Sequence, residues 1–341
     1  VTAAPVEIAA MDHALRLARR GLGNVWPNPA VGCVILRDGI VAGRGWTQPG
    51  GRPHAETMAL AQAGNAAQGA TAIVTLEPCA HHGATPPCAA ALIAAGVARV
   101  VTALTDPDPR VAGGGHAMLR AAGIEVIDGI REAEAREVNR GFLLRLSEGR
   151  PLLTLKLALS LDGRIATAAG ESRWITGPAA RARVQALRAT HDAVLVGGGT
   201  ARADHPALTV RDRAVPRQPV RVIATAGVAP ILPEGGEVWL PADLGLAPQA
   251  GDLDLAALMR ALAARGITRV LCEGGGRLAA ALLRADLVDV LEVHAAGVAI
   301  GADGRAGLGP LELAALSDAP RFALQRVWSR GGDVLTRWTP R

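Results

Sequence analysis

The feature that most constrains this chain is His54-Ala55-Glu56, followed by Glu77-Pro78-Cys79 and then Cys88. One imidazole and two thiols fill three of the four tetrahedral positions around a zinc ion. The fourth position stays open for water, as in catalytic rather than structural zinc sites. Glu56, two residues beyond the histidine, is then placed to carry protons for that water. His81 and His82 lie between the thiols and are rival ligands. His54 is the better candidate, because a glutamate at i+2 otherwise has no explanation.

At 341 residues, half of them apolar, the chain is long enough for two domains with proper cores. No apolar run reaches membrane-spanning length without a polar or charged break, so no membrane partner is expected. Residues 1–10 lack a basic stretch followed by an apolar core, and no secretion signal is read there. Four cysteines, two of them assigned to metal, make no disulfide framework. Cys33 and Cys272 sit in apolar runs and read as buried thiols, which fits a reducing, cytoplasmic setting. Residues 1–150 carry 14 basic and 13 acidic side chains, and the remainder 22 and 18. No five basic residues run together, tyrosine is absent, and there are two phenylalanines. Nucleic-acid binders concentrate basic side chains and aromatic platforms, so no nucleic-acid partner is expected.

Both halves alternate strand and helix patterns. In the first, helices are expected near residues 8–18, 55–63, 88–95, 116–122 and 132–146, and strands at 30–36, 40–46, 71–76, 99–104 and 124–127. His54 opens one helix, while Cys79 and Cys88 flank the start of another. Residues 147–151 read as a linker. Strands then follow at 152–160, 193–196, 220–224, 238–240, 270–272 and 288–293, with helices at 178–190, 254–265 and 276–285. A hairpin over 321–338 turns at Gly331-Gly332. This makes two layered α/β domains of different design, 1–148 and 149–341.

Zinc nucleobase deaminases arrange a histidine, a glutamate that is not a ligand, and two cysteines in this order. Here eight residues separate the cysteines instead of two, which points to a particular branch. Thr75-Leu76-Glu77-Pro78-Cys79-Ala80-His81-His82-Gly83, Thr85-Pro86-Pro87-Cys88, Pro27-Asn28-Pro29 and Val31-Gly32-Cys33 resemble the bifunctional riboflavin-biosynthesis deaminase/reductases. So do Lys156-Leu157, Ser160-Leu161-Asp162-Gly163, Gly170-Glu171-Ser172, Trp174-Ile175-Thr176 and Glu273-Gly274-Gly275-Gly276. The likeness runs through nearly the whole chain.

That resemblance implies a cytidine-deaminase-like three-layer domain followed by a dihydrofolate-reductase-like domain. The first would deaminate a small-molecule diaminopyrimidine bearing a ribosylamino phosphate. The second would reduce the ribosyl group to ribityl with NADPH. Zinc and NADPH are the implied cofactors, and a homo-oligomer the implied assembly. Deaminase substrate contacts map onto Asn28, His81, Asp106 and Asp108. NADPH contacts map onto Ala158, Trp174, Thr200, Asp204, Gly275, Gly276, Arg277, Leu278, Ala279, Ala280 and Ala281. Reductase substrate contacts map onto Ser172, Arg188, Leu208, Arg211 and Glu273. Several positions depart from the family pattern: Ala84 replaces a basic residue, Asp108 an asparagine, and His205 an aspartate. Ala224 and Ala226 likewise lack the usual acidic and hydroxyl groups.

Residues 197–199 and 274–276 are glycine triplets after apolar strands, and the second leads into a helix, whose amides attract phosphate. Neither is a Rossmann fingerprint, and alone each would be a tight turn. Arg188 and Arg211 suit phosphate, which a guanidinium grips in bidentate fashion. Lys156 is the only lysine among 36 basic residues. In 153–160 the leucines share one strand face and Thr154, Lys156, Ala158 and Ser160 the other. Lysine supplies a compact, titratable amine where arginine cannot. With Glu273, it is expected to orient or protonate the opened sugar during hydride delivery. Rival readings are a tRNA or free-nucleobase deaminase with an unrelated second domain, a family member with an impaired reductase half, and zinc used for structure alone.

Overall fold

Short apolar runs such as Thr71–Val74 and Arg99–Thr102 are buried almost throughout, which requires a sheet covered by helices on both faces. The computed structural model describes residues 2–80, 86–108, 112–247 and 253–341. Two compact units result, Val1–Glu148 and Gly149–Arg341.

The first unit runs α1 (Pro5–Ala18), β1 (Gly32–Arg37), β2 (Ile40–Trp46), α2 (Ala55–Ala63), β3 (Thr71–Val74), α3 (Cys88–Ala94), β4 (Arg99–Thr102), α4 (Gly114–Ala121), β5 (Glu125–Ile127) and α5 (Glu132–Ser147). Its sheet has the order β2-β1-β3-β4-β5. β1 is antiparallel to both neighbours, and β3, β4 and β5 are parallel. Helix α1 meets the sheet at Gly32, whereas α2 meets it at Gly43 and Gly45. The β1–β2 register puts the Cys33–Gly45 pair on the face opposite Gly32, so the unit has three layers. A Cβ on Gly45 would lie 2.3 Å from the Ala55 carbonyl oxygen. Glycine there lets the first turn of α2 rest directly on the strand, and that turn carries Glu56. Met11, Leu15, Ile35, Ile73, Leu92 and Leu119 are fully buried between the layers, at about 1.5–3 kcal/mol of stabilisation each.

The second unit runs β6 (Leu152–Leu159), β7 (Arg164–Ala166), α6 (Pro178–Ala189), β8 (Ala193–Gly197), α7 (Gly198–Asp204), β9 (Val220–Ala224), β10 (Val238–Trp239), α8 (Leu255–Ala264), β11 (Arg269–Cys272), α9 (Gly276–Arg284), β12 (Val290–Ala295), β13 (Arg305–Ala306), β14 (Phe322–Arg330) and β15 (Asp333–Pro340). Its main sheet has the order β10-β9-β8-β11-β6-β12-β15-β14. The strands from β10 to β12 are parallel, and β15 and β14 add an antiparallel hairpin. That hairpin turns at Gly331 and Gly332, both with positive φ. Parallel pairing sets Lys156 of β6 beside Glu292 of β12. Leu153, Leu155 and Leu157 are buried, while Lys156 on the other face is only half-buried.

Three elements depart from the sequence expectation. Helix α7 begins inside the first glycine triplet, where glycine's low helix propensity hides it. β7 and β13 pair in a separate two-stranded sheet, and both are too short to show a period.

Candidate active sites

His54 is the N-cap of α2, in extended conformation, and Cys88 is the first residue of α3. Both helix N-termini therefore meet at one point, and Cys79 reaches it from the chain after β3. His54 Nδ1 lies 3.2 Å from Cys88 Sγ and 3.8 Å from Cys79 Sγ. The three ligand atoms all lie within 4.8 Å of one another. Zn–N and Zn–S bonds of ordinary length at a tetrahedral angle would put nitrogen and sulfur about 3.6 Å apart. The donor set and its spacing fit zinc. Among the described residues no fourth protein donor joins the three.

The electrostatics suit the same use. The Cys88 thiol, together with His54 and the Cys88 amide, outweighs burial and draws Cys79 down to about 4. Cys88 rises in turn, because it gives its hydrogen bond to Cys79 and is buried. His54 is raised by its hydrogen bond with Cys79. The site thus holds a thiolate ready for a cation. Glu56 is 4% exposed, and burial raises its carboxyl above the usual carboxylate range. A carboxyl so raised exchanges protons nearer neutral pH.

Glu77 is the residue of this site whose role the sequence does not reveal. Its buried carboxylate accepts four backbone N–H bonds: Oε2 from Asp106 and Gly113 at 3.0 Å each, Oε1 from Gly115 at 2.9 Å and His116 at 3.1 Å. Its own N–H donates to the Leu104 carbonyl at 2.7 Å. The clue was available, since an acidic residue ending a buried run needs partners.

Of the other expected contacts, Asn28 packs its amide against Gly51 in the turn leading to His54. Asp106 and Asp108 follow β4, and Asp108 N–H donates to Asp106 Oδ1 at 2.9 Å. His81, His82 and Ala84 lie outside the described residues.

The second unit holds a cavity of about 890 Å³, at the upper end of small-molecule sites. Lys156, Ala158, Ser172, Trp174, Arg188 and Thr200 line it, as do Asp204, Leu208, Arg211, Glu273, Gly275 and Gly276. The two glycine turns abut: a Cβ on Gly274 would fall 2.7 Å from Gly197 N. Close approach of strands β8 and β11 therefore requires glycine at 274, while Gly275 and Gly276 face the cavity. Arg277, Leu278, Ala279, Ala280 and Ala281 continue along α9 and are not part of its wall. Ala279 and Ala280 are turned into the core. Trp174 is 67% exposed, with the Arg181 guanidinium 4.6 Å from its ring centre. Such a flat, cation-backed face suits an aromatic ligand ring.

At the cavity base Arg188 is engaged rather than open. Its Nε and Nη2 meet the two Glu273 oxygens at 2.6 and 2.9 Å, and Nη1 donates to the Thr209 carbonyl at 2.9 Å. Arg211 is exposed and makes no ion pair among the described residues, so it is the freer phosphate partner. Burial pushes Glu273 up, but Arg188 and Lys156 outweigh it and hold the carboxyl below its usual range. Burial lowers Lys156, against the pull of Glu273 and Glu292. Glu292 is itself gripped by Arg183 at 2.8 and 3.1 Å and touched by His294. Lysine at 156 is thus flanked by two arginine-paired carboxylates.

An imidazole–dithiol triad beside a buried carboxyl, followed by a lysine–glutamate cavity walled by glycine turns, defines a deaminase joined to a reductase. The family model described as the cytidine and deoxycytidylate deaminase zinc-binding region matches residues 6–104, and that of the RibD C-terminal domain matches 151–336. The chain belongs to the RibD family of riboflavin biosynthesis proteins. The RibD of Escherichia coli K12 is 46% identical, covering 95% of this chain and 96% of its own. That of Haemophilus influenzae is 43% identical, covering 97% and 96%. A solved RibD structure from Acinetobacter baumannii superposes with a TM-score of 0.88 at 41% identity, covering 98% of this chain and 99% of its own. A diaminohydroxyphosphoribosylaminopyrimidine deaminase/5-amino-6-(5-phosphoribosylamino)uracil reductase from Thermotoga maritima gives 0.88 at 35%, with the same coverage. No helix among the described residues is long and apolar enough to cross a membrane.

Proposed function

We propose that residues 1–148 deaminate a diaminopyrimidine carrying a ribosylamino phosphate, and that residues 149–341 reduce the deaminated product's ribosyl group to ribityl with NADPH. The observation that carries this reading is the convergence of His54 Nδ1, Cys79 Sγ and Cys88 Sγ beside Glu56, in one chain with the Lys156–Glu273 cavity.

In the first unit His54, Cys79 and Cys88 would hold zinc, which when bound acidifies a water and polarises the reacting centre. Glu56 takes a proton from the attacking water and returns it to the departing exocyclic amine. Asn28 borders the entry to that turn, Asp106 and Asp108 lie on the loop proposed to face the substrate, and His81 is assigned a substrate contact from the family resemblance alone. In the second unit NADPH, when bound, supplies hydride to the opened sugar. Gly275, Gly276, Thr200 and Trp174 wall the cofactor's side, along with Ala158 and Asp204, and α9 from Arg277 to Ala281 backs it. Ser172, Leu208 and Arg211 receive the phosphorylated substrate. Lys156 donates a proton to, or orients, the sugar oxygen, and Glu273 fixes the amine while Arg188 fixes Glu273.

A cytoplasmic setting is supported by four unpaired cysteines. A homo-oligomer is supported by apolar side chains exposed on the β14–β15 hairpin, Leu324, Val327 and Val334. Loss of reductase function is disfavoured by the intact Lys156–Glu273–Arg188 cluster. One coupled assay tests the reading: the full chain, given the diaminopyrimidine, releases ammonia and then oxidises NADPH. NADPH oxidation without prior ammonia release, or neither event, would contradict it.

A further inference from the structure

The geometry points to Glu77 as a positioning residue for deamination, one that fastens the Asp106–Asp108 loop to the metal triad. The inference rests on the deaminase reading above. Glu77 stands two residues before Cys79, so its backbone is fixed to that ligand. Its carboxylate, 3% exposed, takes N–H bonds from Asp106 on one side and from Gly113, Gly115 and His116 on the other. One side chain therefore binds the backbone at Asp106, after β4, and again at the start of α4. Three of the donors belong to the start of α4, whose orphan amides would otherwise need a local cap. No α4 residue supplies one: the N-cap is Gly113, which has no side chain.

The fit is close on the backbone side too. A Cβ on Gly115 would sit 1.9 Å from the Pro78 carbonyl oxygen. The Glu77-Pro78-Cys79 segment and the α4 N-terminus are thus in direct contact, and a shift of one moves the other. Glu77 touches no reacting atom, and Cys79 and His54 bond each other without it. Its effect falls on where the loop sits, not on whether metal is held.

The test is Glu77→Gln in the full-length zinc enzyme, assayed with the diaminopyrimidine phosphate. Glutamine keeps the shape but turns one acceptor oxygen into a donor that faces two N–H groups. Charge-assisted bonds of this kind are worth enough to predict a KM rise of about tenfold or more. The expected pattern is that rise with kcat within about threefold, one zinc per chain, and unchanged reduction of the deaminated intermediate. Hydrogen exchange should quicken in peptides covering 105–108 and 113–117. Unchanged KM with unchanged exchange overturns the inference, as does zinc loss or a fall in kcat alone. Glu77→Asp draws the carboxylate back by one methylene and should give the same pattern at smaller amplitude. It carries the test if the glutamine variant does not fold. If wild-type protein fails to deaminate, the deaminase reading fails, and the exchange measurement still reports whether Glu77 holds the loop.

Discussion

Arg188 and Glu273 form a buried two-pronged ion pair under the second unit's cavity, with side chains 9% and 11% exposed. Truncating one partner of such a pair strands the other charge, at a cost of about 3–5 kcal/mol. Glu273→Ala should therefore lower local stability by about that amount. Native-state hydrogen exchange in β11 and α6 peptides measures it, and protection equal to wild type would contradict the prediction.

The same pair has a defined pH dependence. Glu273 is held below its ordinary value by Arg188 despite burial. A carboxylate depressed in the folded state contributes stability that is complete above its unfolded pKa of about 4.3. That contribution is lost as pH falls through the depressed folded value. Exchange protection of β11 should hold at neutral pH and decline only in acid below that range, and the decline should be absent in Glu273→Gln.

Lys156 is lowered by burial, and the groups facing it are Glu273 just after β11, Glu292 and His294 from β12, and Arg188 from α6. The alkaline limb of reductase kcat/KM should fall below the ordinary lysine value of about 10.4. Lys156→Arg should remove that limb and cut turnover by about a hundredfold or more, the lower end of proton-transfer catalysis. Unchanged turnover would leave Lys156 a charge on the cavity wall.

Glu56→Gln should retain zinc and lower deaminase kcat by about 10²- to 10⁴-fold, the range for a lost general acid–base group. Reduction of the deaminated intermediate serves as an internal control. Loss of metal along with activity would make Glu56 a structural partner of the triad instead.

How much could be read from the chain depended on whether each role is local. Lys156 was visible because strand alternation puts four leucines on one face and one amine on the other. The metal candidates are visible because an imidazole, two thiols and a glutamate at i+2 fall in one ordered pattern. Glu77 was not, since its four donors come from residues 29 to 39 positions away, and spacing says nothing about such contacts. Residue type alone makes Arg188 suit phosphate. Its fork is in fact occupied by Glu273, 85 residues on. Arg183 and Glu292 pair across 109 residues and left no sequence trace. Helix α7 was hidden by the glycines that begin it.

The most direct measurement is X-ray absorption at the zinc edge on the purified full-length chain, together with metal content. The predicted result is one zinc per chain with two sulfurs at about 2.3 Å and two lighter atoms at about 2.0–2.1 Å, and loss of both metal and deamination in Cys88→Ser. A metal-free protein that still deaminates, or a zinc lacking sulfur ligands, would contradict the assignment of His54, Cys79 and Cys88.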